Sequence, residues 1–157
     1  MIRPLQMEHI SKTKTKHLGK WLLHAGWVLI TRSGTIGRTA VVTQRQGGWA
    51  GSEHMIRVKP DPAAMHPGFL AAFLATPFGQ HQLKAKIYGG VVDELTEPDT
   101  AAILVPDIPA ASPHFDEQTR IGELVVSAYE MRDEANTVEK GAIDFLEQII
   151  KTGATPS

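Results

Sequence analysis

The sequence has no cysteine, few aromatic residues and no long apolar run. Of its 157 residues, none is cysteine and 6% are aromatic. The lack of cysteine excludes a disulfide scaffold, a thiolate zinc site and a cysteine nucleophile. No stretch reaches the roughly 18 apolar residues that a transmembrane helix needs, and residues 1–6 lack the apolar core of a signal peptide. These absences predict a soluble, cytoplasmic protein that does not enter a membrane.

The charged residues are divided unevenly along the chain, although the net charge is only −1. Residues 1–92 contain 12 Lys and Arg against 3 Asp and Glu, whereas residues 93–157 contain 4 against 14. The first part therefore carries a charge of +9 and the second a charge of −10. Such a basic part is typical of a domain that binds a polyanion. The alternative is a dipolar domain whose two charged surfaces complement each other internally.

The hydrophobic pattern predicts short strands and helices that are mixed along the first 111 residues. Apolar and β-branched runs predict strands at residues 27–32, 39–43, 54–58, 88–95 and 103–106. One helix is predicted over residues 69–74, and a second restarts after Pro77 and runs to about Lys84. Because the strands and helices do not alternate as in a doubly wound sheet, the fold class is α+β.

A long helix is predicted after Ser112-Pro113, where a cap residue precedes proline at the first helical position. No proline follows until residue 156, and apolar residues recur at heptad spacing. One heptad position holds Ile121, Ala128, Ala135, Ala142 and Ile149, and another holds Leu124, Met131, Val138 and Phe145. This pattern is the seam of a coiled coil. A helix roughly 50 Å long is too long to be buried by the preceding domain, so it needs a partner helix.

The chain is therefore divided into three parts. Residues 1–111 are predicted to form a globular domain of mixed strands and short helices. Residues 112–151 form one long C-terminal coiled-coil helix, which acts as a spacer or dimerisation element. Residues 152–157 form a disordered tail.

The sequence contains no motif for catalysis, a cofactor or a metal. There is no P-loop and no HExxH pattern. Gly34-Thr35-Ile36-Gly37 has two glycines rather than the three of a dinucleotide-binding loop. The few His, Asp and Glu residues that lie close in sequence lack the further ligands that a metal site needs. We therefore predict a protein that is not an enzyme and that binds no cofactor and no metal.

The first part of the chain carries the residue types that contact nucleic acid. Lysine and arginine bind phosphates, whereas amide, hydroxyl and guanidinium groups read base edges. The predicted phosphate contacts are Lys12, Lys14, Lys16, Arg32 and Arg38. The predicted base-edge contacts are Gln44, Arg45, Gln46 and Ser52, and Arg45→Ala is expected to cost about 1–3 kcal/mol at one base pair. The remaining candidates are Ser33, Thr35 and Trp49, of which Trp49 has the alternative of packing on the rim of the core.

Several segments in a fixed order carry a resemblance to a known family. They are residues 26–38 (GWVLITRSGTIGR), 52–58 (SEHMIRV), 69–74 (FLAAFL), 78–80 (FGQ), 88–95 (YGGVVDEL), 103–106 (ILVP) and 118–121 (QTRI). With these segments the chain resembles the DNA-specificity subunits of type I restriction–modification systems. It also resembles the related target-recognition regions that are fused to some methyltransferase–nucleases.

The resemblance implies a non-catalytic protein that takes part in DNA modification by recognising double-stranded DNA. In such subunits each globular domain reads one half of a split DNA sequence. Two long helices pair antiparallel, hold the domains apart and help to dock methyltransferase subunits, with a restriction subunit as a possible further partner. The usual subunit has two domains and two helices, whereas this chain has one of each. It is then either a half-subunit that forms a homodimer and reads a palindromic split target, or a fragment.

Two other functions stay open at this point. The chain can be the specificity region of a fused methyltransferase–endonuclease. It can also be a non-catalytic interaction module in which the helix dimerises and the basic part binds RNA or an acidic protein. The acidic helix argues against DNA contact along residues 116–150, because like charges repel phosphate.

Overall fold

The computed structural model describes residues 10–11, 14, 16–87, 94–109 and 111–153. Its strands are β1 (Val28–Thr31), β2 (Thr39–Val41) and β3 (Met55–Val58). Its helices are α1 (Pro67–Ala75), α2 (Pro77–Ala85), α3 (Glu97–Ala101) and α4 (Phe115–Thr152). Short 3₁₀ turns lie at Leu18–Lys20 and Gln44–Gln46. This arrangement of a small sheet, short helices and one long C-terminal helix confirms the predicted α+β class.

The three strands form one antiparallel sheet in the order β2-β1-β3. The central strand β1 is covered on both faces, which explains its unbroken apolar sequence. On one face Val28 and Ile30 belong to the main core, together with buried side chains of α1 and α2. On the other face Leu29 packs with Leu23 and Val42 in a second, smaller cluster.

Helices α1 and α2 follow each other with only Thr76 between them. Both helices begin with proline, and Thr76 is the C-cap of α1 and the N-cap of α2. Its Oγ1 donates to Phe73 O over 2.6 Å and accepts from Gly79 N over 3.3 Å. This double cap explains why the helix stops and restarts at the predicted proline.

Helix α4 contacts α1 at a point where two glycines meet. A Cβ atom at Gly68 would overlap the backbone of Gly122, and one at Gly122 would overlap the ring of His66. The His66 Nδ1 caps α1 by accepting from Gly68 N over 3.1 Å. The fully buried Gln118 of α4 accepts from His66 N over 3.1 Å. The start of α1 is therefore held directly against the first turns of α4.

Further along, α4 contacts the sheet. The Tyr129 hydroxyl donates to Thr39 O over 3.2 Å. Burial raises the pKa of Tyr129, while the positive charge of Arg132 acts in the opposite direction. One turn later Asp133 contacts Thr43, which follows the end of β2.

In the described part of the chain, no helix is long and apolar enough to span a membrane.

The sequence pattern does not predict helix α3, and the structure differs from the predicted elements in three further places. Helix α4 begins at Phe115 rather than after Ser112, because the Ser112 hydroxyl accepts from His114 N in a turn that precedes the helix. Residues 103–106 are not a strand, since the backbone N and O of Leu104 bond to the side-chain amide of Gln82. Of the strand predicted at 88–95, residues 88–93 lie outside the described residues and Leu95 is buried outside any strand. Of the tail predicted at residues 152–157, Thr152 ends α4 and Gly153 is its C-cap, whereas residues 154–157 lie outside the described residues.

Candidate nucleic-acid interface

The structure places two groups of the predicted DNA contacts at opposite ends of the sheet, whereas Trp49, Lys14 and Lys16 belong to neither group. The hairpin turn, residues 32–38, joins β1 to β2 at one end, which we call the hairpin end. Strand β3 starts there as well, because Met55 pairs with Thr31. Ser52 therefore lies at the hairpin end together with Arg32, Ser33, Thr35 and Arg38. The 3₁₀ turn Gln44–Gln46 follows β2 at the other end.

The hairpin turn is fixed by hydrogen bonds to Thr31. The Thr31 Oγ1 accepts from Arg38 N over 3.0 Å and donates to Thr35 O. Gly34 and Gly37 have φ angles of 72° and 82°, a region that favours glycine. The side chains of Thr35 and Arg38 are exposed at this ordered tip.

The two arginines of the hairpin turn have different surroundings. Arg32 Nε lies 3.0 Å from Glu94 Oε1, and its side chain is 30% exposed. The pair is an ion contact rather than a hydrogen bond, since Arg32 Nε has no hydrogen-bond partner among the described atoms. Glu94 compensates the charge of Arg32. Arg38 is exposed and has no carboxylate within 4.0 Å in the part of the chain that the structure describes, so of the two arginines it is the more accessible to an anion.

Ser33, His54 and Ser52 form a small polar group at the hairpin end. The Ser33 Oγ lies 2.7 Å from His54 Nδ1, and His54 N donates to Ser52 Oγ over 3.3 Å. The His54 Nε2 lies 3.9 Å from Glu53 Oε1, with both side chains largely exposed. An open surface with these donors and acceptors suits contact with base edges. Sequence reasoning missed His54, whose position just before β3 was the available signal.

The turn Gln44–Gln46 contacts helix α4 instead. Gln46 is 2% exposed, and its Nε2 donates to Asp133 Oδ1 over 3.0 Å. The Thr43 hydroxyl donates to the other oxygen of Asp133. Gln46 therefore has no exposed amide for a base edge, which corrects the role predicted for this residue. Sequence reasoning did not identify Asp133 as a contact residue, because a carboxylate on an acidic helix is normally expected to face solvent.

Gln44 and Arg45 are exposed but lie beside acidic side chains. Arg45 donates to Asp133 O over 3.5 Å. A cavity of about 310 Å³ is lined by Thr43, Gln44, Arg45, Glu130, Asp133 and Glu134. Three carboxylates at this site disfavour a phosphate backbone by charge repulsion. For Arg45 the predicted base contact therefore competes with a role in anchoring the helix.

The remaining candidates are Trp49 and the lysines near the N-terminus. Trp49 is half-buried and packs against the smaller core cluster of Leu23, Leu29 and Val42. Lys14 and Lys16 are exposed, whereas Lys12 lies outside the described residues. The following segment contacts the connection that precedes β3, since the carbonyl of Trp21 accepts from Gly51 N over 2.8 Å.

Most of the predicted seam of α4 is left exposed by the described part of the chain, although Ala128 and Ile149 are half-buried. Leu124, Met131 and Val138 are 60%, 66% and 68% exposed. At about 100° per residue, the seam lies on the side of the helix away from Gln118 and Asp133, which face the domain. Residues 134–152 continue beyond the domain and are exposed apart from two half-buried positions. This projecting part is about 28 Å long.

Among the described residues no three His, Asp or Glu side chains gather in a metal-binding arrangement.

These features define a basic α+β domain with a projecting helix whose apolar seam is mostly exposed among the described residues. The fold is similar to that of the HsdS subunit from Thermoanaerobacter tengcongensis, with a TM-score of 0.54 and 22% sequence identity. The likeness covers 83% of this chain and 33% of that chain, so this chain spans about one third of that subunit's length. No protein-family model and no curated protein sequence matches the chain.

Proposed function

We propose that this chain is a non-catalytic recognition module for double-stranded DNA, whose hairpin end reads one half-site. The observation that carries the proposal is the gathering of Ser33, Thr35, Arg38, Ser52 and His54 at one end of the sheet. The fold supports it, because HsdS subunits are non-catalytic specificity components. The chain would then be the specificity component of a type I restriction–modification system.

The positive charge of the sequence around the hairpin turn supports the hairpin end as the DNA-binding surface. Between Glu8 and Glu53 there is no acidic residue, and this stretch contains seven Lys and Arg. Arg38, Lys14 and Lys16 would bind backbone phosphates, and these contacts position the module without reading sequence. Ser33 and Thr35 would reach base edges from the rigid turn.

Helix α4 carries the second part of the proposed function, which is pairing with a second copy of the chain. Its exposed seam, Ile121 to Ile149, would pair with the same helix of a second copy. A two-fold dimer of this kind presents two recognition domains at a fixed separation, and it would read a split, palindromic site. The paired helices would dock a methyltransferase subunit, which the system needs for catalysis, and a restriction subunit can join the same assembly. Cytoplasmic localisation follows from these partners.

The test uses the full chain and a fluorescent duplex of randomised sequence. We expect binding that weakens steeply with salt, and selection from the duplex pool should enrich a short sequence block. Arg38→Ala should lower the slope of log K against log salt by about one. The matched control is Lys59→Ala, which removes one exposed charge beyond β3 at the end opposite the hairpin turn. Equal or tighter binding of RNA, or binding without sequence enrichment, would contradict the proposal.

A further inference from the structure

We infer that the outer face of helix α2 is a second part of the same DNA interface, in which Lys84 and His81 bind backbone phosphates. This inference rests on the proposed function. It adds an element that the sequence pattern marked only as a short helix. Three observations carry it: the attachment of α2 to the hairpin turn, the face that α2 leaves exposed, and the charge of the surrounding chain.

Helix α2 is attached directly to the hairpin turn. The Gln80 Nε2 donates to Gly37 O over 2.8 Å, and the same amide donates to Leu74 O over 2.8 Å. A Cβ atom at Gly37 would lie 3.4 Å from Gln80 Oε1 and 3.6 Å from Leu83 Cδ1. A duplex that contacts Arg38 at the hairpin turn therefore also approaches α2.

Helix α2 exposes two basic side chains, Lys84 and His81, together with the apolar Phe78. Gly79 and Leu83 are buried and face the core, whereas His81 and Lys84 are exposed. Lys84 follows Gln80 by four residues and so lies one turn further along the same side of the helix. His81 lies three residues before Lys84 and neighbours it on the outer surface. Lys84 is therefore placed on the flank of α2 that borders the hairpin turn, and His81 lies beside it, further round on the outer surface.

The charge of this region favours a polyanion as the occupant. No Asp or Glu occurs between Asp61 and Asp93, while the same stretch contains Lys84, Lys86 and two histidines. Among the described carboxylates near the hairpin turn, Glu94 pairs with Arg32 and Glu53 lies beside His54. In contrast, α4 carries Asp or Glu along much of its length. Of the two helical surfaces, only that of α2 complements the charge of DNA.

The two phosphate contacts would orient the duplex on the protein. Phosphate contacts fix the register of a protein on a duplex, whereas base contacts supply the sequence information. Lys84 and Arg38 lie on two elements that Gln80 joins. Together they would contact the duplex at two separate points, so that Ser33 and Thr35 meet the base edges at a fixed angle.

The experiment compares Lys84→Ala, His81→Ala and Lys84→Arg in the full chain, with Lys59→Ala as the control. Lys84 is exposed, so its variants should fold normally, and circular dichroism would verify this. We expect Lys84→Ala to lower the salt slope of duplex binding by about one and to weaken binding to all sequences alike. His81→Ala should weaken binding in the same uniform way, and Lys84→Arg should retain the slope because it keeps the charge.

The outcomes separate this inference from the function on which it rests. If the unaltered chain binds duplex DNA with a steep salt slope, and Lys84→Ala leaves that slope as it is in Lys59→Ala, the role of α2 is wrong and the proposed function stands. If the unaltered chain does not bind duplex DNA, both are wrong. A change in stability alone, without a change in slope, would also contradict the inference, since it would show only a structural role for Lys84.

Discussion

Gln46 and Asp133 are 87 residues apart in the sequence, yet the amide of Gln46 donates a 3.0 Å hydrogen bond to the carboxylate of Asp133. Both side chains are buried. The bond joins the turn after β2 to the long helix, near the point where the helix leaves the domain. It therefore helps to set the direction in which the projecting part of α4 extends.

The first prediction concerns the stability of this contact. Asp133→Ala leaves the buried amide of Gln46 and the hydroxyl of Thr43 without their acceptor. A buried polar group without a partner costs about 1–3 kcal/mol, so we expect the free energy of unfolding in urea to fall by about that amount. Glu134→Ala is the control, because Glu134 is exposed on the same turn and its loss should have little effect. Equal stability of the two variants would show that the contact does not hold the helix.

The second prediction compares two glycines of the same helix. Gly122→Ala should destabilise the protein by about 1–3 kcal/mol, the usual cost of overpacking, because the new methyl group overlaps the ring of His66. Gly141→Ala should instead stabilise the helix by about 1 kcal/mol, since nothing lies within 4 Å of that position. Thermal unfolding followed by far-ultraviolet circular dichroism measures both. If both substitutions raise the melting temperature, α1 and α4 are not in contact through their glycines.

The third prediction concerns the seam. We expect light scattering to give the mass of a dimer for the chain alone and of a monomer for Ala135→Glu, because a buried charge at a seam position disrupts helix pairing. Thr137→Glu adds the same charge roughly 200° away around the helix, so this control should stay dimeric. A dimer that survives Ala135→Glu would place the contact elsewhere. A monomeric starting chain would mean that α4 pairs with a different protein.

The fourth prediction separates the two roles of Arg45. If its guanidinium mainly anchors α4 through Asp133, Arg45→Ala should leave DNA affinity and sequence preference nearly unchanged and should lower stability slightly. If it reads a base, the same variant should lose about 1–3 kcal/mol of discrimination at one base pair. Binding to a selected duplex and to single-base variants of it distinguishes these results. We expect the first, because Glu130 and Glu134 line the same cavity.

The elements of the fold are largely predictable because their signals are local. The continuous apolar run of β1, the prolines that begin α1 and α2, and the heptad repeat of α4 each act within a few turns or strand residues. The structure contains all of them, with shifts of one to three residues at their ends. The strand predicted at residues 103–106 is wrong because its backbone groups bond to a side chain, Gln82, from another part of the chain.

By itself, the sequence determined the α+β class, the long helix and the division of charge between a basic part and an acidic part. Local spacing and composition are enough for these properties. Only the tertiary structure decided which polar residues share a surface. It brought Ser33, Ser52 and His54 together and buried Gln46. The physical reason is that sequence alone predicts a polar side chain to be exposed, because its buried hydrogen-bond partner is known only from the folded structure. For Gln46 that partner, Asp133, lies on another element far along the chain.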